Sequence, residues 1–154
     1  VVLQSGEAVF VPAGPMPAHS RGTGVAGIAN ADNVLRGGLT PKHVDVGELI
    51  KVVDFSASEP EITRPQRIAD GVDHYPTGCP EFDVWRLTPS DEPVALPGDG
   101  SARVLLVISG EVTLAGTGEP LAMGKGGAAF LDAAETGVTL SGKGVAFLTA
   151  AGVR

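Results

Sequence analysis

The sequence predicts an all-β protein, with a jelly-roll β-sandwich on its C-terminal side preceded by half of another sandwich and one short helix. Three observations lead there. Glycine at 22 and proline at 12 of 154 residues, against 5% aromatics, favour many short strands joined by tight turns over a helical bundle. Short apolar segments recur from Phe82 onward at the spacing of sandwich strands. An offset of about 120 residues, which lays Gly6 on Gly126, matches the chain to itself.

In that repeat GEAVFVPAG then GTGVAG meets GGAAFLDAA then GKGVAF, with no gap. Each copy reads as a turn, a strand of alternating apolar positions, a loop, and a second strand entered through G-x-G. The second copy has strand-like segments before it: Phe82 to Leu87, Pro93 to Leu96, Val104 to Ile108, and Val112 to Leu114 after a turn at Ser109 and Gly110. For the first copy the equivalent strands would lie before Val1. A half-sandwich exposes strand edges and an apolar face, which a further segment, a second chain or self-association would cover. The chain opens at Val1 within an apolar alternation and without an initiator methionine, so a fragment or split chain is expected.

Between the copies the period changes. Val46, Leu49, Ile50 and Val53 fall on one stripe of an amphipathic helix of roughly two to three turns. Asp45 as N-cap and Glu48 three residues on form a capping-box pattern. From Ser56 to Pro80, charge and four prolines without periodicity read as an extended connection. The expected division is therefore 1–55, the half-sandwich with its helix; 56–81, a connecting segment; and 82–154, the complete sandwich.

Composition excludes several function classes. A formal charge of −7, from 11 basic and 18 acidic side chains, provides no basic stripe for a phosphate backbone, which argues against nucleic acid as a partner. The single cysteine, Cys79, builds no disulfide framework, and no apolar run approaches the ~20 residues of a membrane helix. With no signal-peptide pattern at the start, a reducing cytoplasm is the default expectation.

The densest motif is the run from Pro12 to Val46, PAGPMPAHSRGTGVAGIANADNVLRGGLTPKHVDV. With GEAVFVPAG (Gly6 to Gly14), GTGV (Gly22 to Val25), ANADNVLRGGLTPKHVDV (Ala29 to Val46) and the segment from Phe82 onward, the chain resembles the C-terminal part of a type I mannose-6-phosphate isomerase. That family is one of bicupin zinc enzymes. The resemblance implies a cupin fold and the reversible conversion of mannose 6-phosphate to fructose 6-phosphate through a cis-enediol. Such chemistry moves a proton between adjacent carbons and calls for an electrophile at the enediolate oxygen and cations at the phosphate.

In the family, zinc is held by a glutamine and a histidine in Q-x-H, by a glutamate, and by a second histidine within PAG-x-x-H-A-Y. The first three are expected upstream of Val1. Aligned without a gap, the second histidine falls on Pro17, which has no donor atom, and the tyrosine falls on His19. A two-residue slide would put His19 on the same strand face as a displaced ligand, at the cost of register or a bulge. Arg36 stands at the arginine of the family's N-V-x-R-x-G-L-T-P-K signature, where a guanidinium can hold an enediolate or phosphate by two parallel hydrogen bonds; its bland alternative is an ion pair with Asp32. Lys42 stands at the signature's lysine, a mobile charge for the substrate. Asn30, Asp32 and Asn33 read as residues that orient this loop.

His43 and His74 have no ligand spacing between them, and no histidine occurs from Phe82 to Arg154. The C-terminal cupin is therefore expected to be a support without a metal site. Two readings follow. In the first, the chain is a C-terminal portion of a sugar-phosphate isomerase, with Arg36 catalytic and Lys42 substrate-binding, and inactive alone because the zinc ligands are elsewhere. In the second, it is a non-catalytic cupin-like module that binds a sugar or another subunit, as Pro17 would allow.

Overall fold

The computed structural model describes all residues except 29–33, 39, 57–58 and 153–154. In chain order the elements are β1 (Ala8–Val9), α1 (Val46–Val52), β2 (Ile62–Thr63), β3 (Gln66–Ala69), β4 (Val72–Tyr75), β5 (Phe82–Leu87), β6 (Val94–Ala95), β7 (Arg103–Ala115), β8 (Leu121–Gly124), β9 (Ala128–Leu131) and β10 (Thr139–Ala151). All the pairings are antiparallel. The fold is all-β and cupin-like, with one short helix. β1 pairs with β2 in a two-stranded ribbon, and the other strands form an eight-stranded sheet in the order β3-β4-β5-β10-β7-β8, with β6 on β10 and β9 on β7.

The two longest strands, β7 and β10, run side by side through the middle of this sheet. Their register slips between Val145 and Ala146: Val145 faces Ser109 but Ala146 faces Val107, which leaves Ile108 as the extra residue of a β-bulge. Because strand side chains alternate with a period of two, one extra residue reverses which parity faces inward. On β7 the buried positions are Arg103, Leu105 and Val107 before the bulge and Val112 after it; on β10, which has no extra residue, Leu140, Ala146, Leu148 and Ala150 keep one parity. The bulge thus lets both halves of the sheet aim side chains into a single core that joins Trp85, Leu87, Leu105 and Leu148 to Val94, Val112, Met123 and Leu140.

This geometry corrects two sequence expectations. Ser109 and Gly110 do not form a turn; β7 continues through them, and Gly110, at φ 73°, pairs with Gly144 in the ladder just past the bulge. Gly142 and Gly144 do not open a strand but lie inside β10. They are small because the backbones approach closely there, so that a Cβ on Gly142 would come 2.6 Å from the Glu111 carbonyl oxygen and one on Gly144 2.6 Å from that of Ser109. The first copy of the repeat builds less than its twin: Ala8–Val9 forms a strand, whereas residues 22–26 pair with nothing described.

The stretch 56–81, expected as a connection, is also different. Its prolines leave room for β2 and for the β3–β4 hairpin, which turns at Gly71 (φ 71°) and adds to β5 with Asp73 opposite Arg86 and His74 opposite Trp85. The sheet therefore begins at Gln66. Phe82–Leu87 is β5 as anticipated, and α1 starts at its anticipated cap, where the Asp45 carboxylate accepts from the Glu48 N–H at 3.0 Å. Glu48 turns to Lys51 rather than back to the cap, so only half of the capping box forms. The apolar stripe of α1 is largely uncovered: Val46 and Ile50 are 58% and 59% exposed.

At the start of β7 the Arg103 side chain is completely buried. Its guanidinium donates to the Pro97 carbonyl (3.2 Å), to Asp99 Oδ1 (2.7 Å) and to the Glu135 carbonyl, while Asp99 Oδ2 accepts from the Gly137 N–H at 3.0 Å. One cation therefore ties the 97–101 loop to the 132–138 loop across one end of the core. Arg103→Met keeps the apolar stem but leaves these acceptors unpaired, and is expected to cost about 3 kcal/mol in urea unfolding. A loss under about 1 kcal/mol would show that the loops hold themselves.

Candidate functional site

The proline-rich segment after β1 is threaded between two other pieces of chain. Gly14, at φ 108°, turns it so that its carbonyl accepts from the Asp54 N–H at 3.1 Å, just beyond α1. Two residues on, the Met16 side chain lies against Gly37: a Cβ built on that glycine would overlap Sδ and fall 3.1 Å from Cε and 3.2 Å from Cγ. The segment that carries Pro17 is thereby set beside the loop that carries Arg36.

Arg36 is half-buried, and Lys42 is exposed one turn before the Asp45 cap. The Lys42 backbone N–H donates to Thr40 Oγ1 at 3.2 Å, which shapes the entry to α1. The structure thus brings the Pro12–Met16 segment and the Arg36 loop together, with Lys42 following on the same connection. His19 is exposed, as is Pro17. Asn30, Asp32 and Asn33, and with them the Arg36–Asp32 ion pair, lie outside the described residues. Beyond the helix, Asp54 is held below its ordinary pKa by hydrogen bonds from the Ser56 backbone and side chain, the N–H of Ser56 at 2.9 Å from Oδ1.

Among the described residues the donors do not fit a zinc ion by themselves. The side chain of the proline at 17 carries no donor atom, and no group of three His, Cys, Asp or Glu residues converges among those described. His43 is exposed. His74 is engaged elsewhere, with Nε2 3.1 Å from Asp83 Oδ1 and its ring 5.5 Å from that of Trp85.

Sequence reasoning missed an ionic junction that anchors the start of the N-terminal segment. Asp73, 7% exposed in its side chain, accepts from Arg67 Nε at 2.6 Å and from Arg86 Nη2 and Nε at 2.7 and 3.2 Å. Arg86 Nη1 in turn lies 3.0 Å from where a Cβ of Gly6 would sit, and the Tyr75 hydroxyl donates to the Gly6 carbonyl at 2.9 Å. These contacts seat the N-terminal segment on the outer face of the sheet, and Gly27 adds a second seat against Val84, Phe82 and Thr149. Burial pushes the Asp73 carboxyl up, but the two arginines outweigh it and leave the group below the usual carboxylate range. Burial raises the Tyr75 phenol. The one available signal was the β4–β5 register, which puts Asp73 opposite Arg86 and was hidden once 56–81 was read as a connection.

No protein-family model matches the chain. Individual proteins do. Mannose-6-phosphate isomerase of Escherichia coli (strain K12) is 34% identical over 145 residues, which cover 94% of this chain and 37% of the relative. That of Rattus norvegicus is 32% identical over 151 residues, covering 88% and 34%. Among solved structures, a mutant of phosphomannose isomerase from Salmonella typhimurium superposes with a TM-score of 0.65 at 30% identity, over 80% of this chain and 32% of that one. By sequence and by fold, the chain matches the C-terminal part of a mannose-6-phosphate isomerase. It covers about a third or less of the length of most curated relatives it matches, from 27% for the Caenorhabditis elegans protein to 37% for that of Escherichia coli. No described helix is long and apolar enough to cross a membrane.

The Asp73 junction gives a pH signature. A carboxyl lowered in the folded state contributes stability above its unfolded value of about 4 and loses it as pH falls through the lowered folded value. Asp73→Asn is expected to cost about 2 kcal/mol at neutral pH, less than the ~3–5 kcal/mol of a fully buried pair because the Arg67 side chain is 61% exposed. In urea unfolding followed from neutral pH to about pH 2, the gap between wild type and variant should close. A constant gap would show that packing, not charge, is at stake.

Proposed function

We propose that the chain supplies one wall of a sugar-phosphate isomerase site, acting on mannose 6-phosphate and fructose 6-phosphate, with residues 1–55 as the wall and the cupin-like sheet as its support. The observation that carries this reading is the Met16–Gly37 contact, which sets the PAG segment beside the half-buried Arg36. Isomerisation of the aldose moves a proton from C2 to C1 and the hydroxyl proton from O2 to O1, through an enediolate. Arg36 is assigned to that enediolate or to the phosphate, where two parallel N–H groups hold planar oxygens, and Lys42 to the phosphate as a mobile charge.

The zinc of the family is assigned to donors outside these residues, with His19 as a displaced ligand the one alternative within them. A further polypeptide that completes the first cupin is also part of this reading. Its support is the apolar surface left open on residues 1–55, where Ile28 is 79%, Val52 58% and Phe55 76% exposed. The chain alone, with zinc added, is expected to convert no mannose 6-phosphate. Turnover that Arg36→Ala abolishes would overturn the assignment of zinc and the opposite wall to other residues.

Binding tests the wall itself. Fructose 6-phosphate titrated into the chain and followed by NMR should bind in the millimolar range, and Arg36→Ala should weaken it at least about tenfold, the loss of one charge-assisted pair of hydrogen bonds. Lys42→Ala should weaken it about threefold, as a solvated point charge would. Unchanged affinity in Arg36→Ala would remove that residue from the site. Pro17 favours a second reading, a non-catalytic cupin-like module; equal affinity for fructose and fructose 6-phosphate would support it over the isomerase wall.

A further inference from the structure

We propose that Met16 is a positioning residue that sets the place of Arg36 through its contact with Gly37; this rests on the assignment of Arg36 to a sugar-phosphate site. Met16 is 56% exposed, so its side chain is not core filling, and the flank it does cover is the backbone of Gly37. The thioether occupies the space in which any other residue at 37 would carry its Cβ. Gly38 serves a different need: at φ 141° and with open space where a Cβ would stand, it lets the chain turn away from the contact. One glycine of the pair is required for space and the other for conformation.

Met16 is held from behind. The carbonyl of Gly14 is bonded to the Asp54 N–H, and a Cβ on Gly14 would lie 3.3 Å from Asp54 Cβ, so the chain after α1 backs the segment 14–16. From there the load path runs α1 end, Gly14, Met16, Gly37, Arg36. An unbranched, polarisable side chain suits the middle of such a path because it fills an irregular gap without demanding one rotamer. Alanine at Met16 would remove the three atoms nearest that flank of Gly37, and alanine at Gly37 would push the thioether out.

The test is a double-mutant cycle on fructose 6-phosphate affinity, with thermal unfolding measured alongside. Met16→Ala and Gly37→Ala should each weaken binding about fivefold, and the double variant should be no weaker than the weaker single, because both break one contact. The melting temperatures should stay within about 2 °C of wild type, since the contact lies at an exposed surface. Wild-type affinity in Met16→Ala, or losses that multiply in the double variant, would overturn the proposal. Arg36→Ala separates the two levels: if it weakens binding while Met16→Ala does not, only the positioning role fails. If Arg36→Ala has no effect, or the wild-type chain does not bind fructose 6-phosphate, the underlying site assignment fails and the positioning role with it.

Discussion

The pairing of β7 with β10, with its single slipped residue at Ile108, is the constraint on which the rest of the structure depends. Two thirteen-residue strands cannot both stay regular and present one apolar face to a core that wraps around them. The bulge reverses the inward parity of β7 at one point, so that Leu105 and Val107 on one side and Val112 on the other all reach the same interior. The other strands of the eight-stranded sheet attach to this pair, directly or through β5. β5 and β6 pair with opposite ends of β10, β9 and β8 with opposite ends of β7, and Arg103 closes one end of the core by binding two loops at once.

The N-terminal third of the chain uses this sheet as a floor rather than building a layer of its own. It touches the outer face through Gly6 at Arg86 and Tyr75, and through Gly27 at Val84, Phe82 and Thr149. At Gly6 a Cβ would stand 3.0 Å from Arg86 Nη1 and the backbone is at φ 88°, so that seat calls for glycine, whereas a Cβ at Gly27 would make ordinary contacts at 3.7–3.8 Å. Asp73 fixes the first seat indirectly, by holding Arg86 in place beneath Gly6. The cluster that the family resemblance picks out, Arg36 with the PAG segment, is irregular and lies in the chain between these two seats and α1, the usual division between scaffold and binding loop.

Local chemistry made some elements legible and nonlocal geometry hid others. Asp45 announced α1 because a cap acts within three residues, and β5 was readable from its alternation between glycine- and proline-bearing segments. Ser109–Gly110 misled because a dipeptide of turn residues serves equally beside a bulge, and only the partner strand decides between the two. The β3–β4 hairpin went unseen because its apolar residues are few; what holds it is Asp73 reaching Arg67 and Arg86, an ionic contact with no periodicity. In the site, Arg36 and Lys42 were named by motif, whereas the contact between Met16 and Gly37 joins residues far apart in the chain and left no pattern to read.

By itself the sequence determined the all-β class, the one helix with its cap, and the resemblance that singles out Arg36, Lys42 and the proline at 17. These follow from composition, short-range hydrogen bonding and motif, all of which act along the chain. Only the tertiary structure decided where the sheet begins, which way β7 faces on each side of Ile108, and which loops meet around Arg36. Those outcomes depend on strand register and on backbones approaching within a side chain's breadth, and such distances are set by the folded chain as a whole.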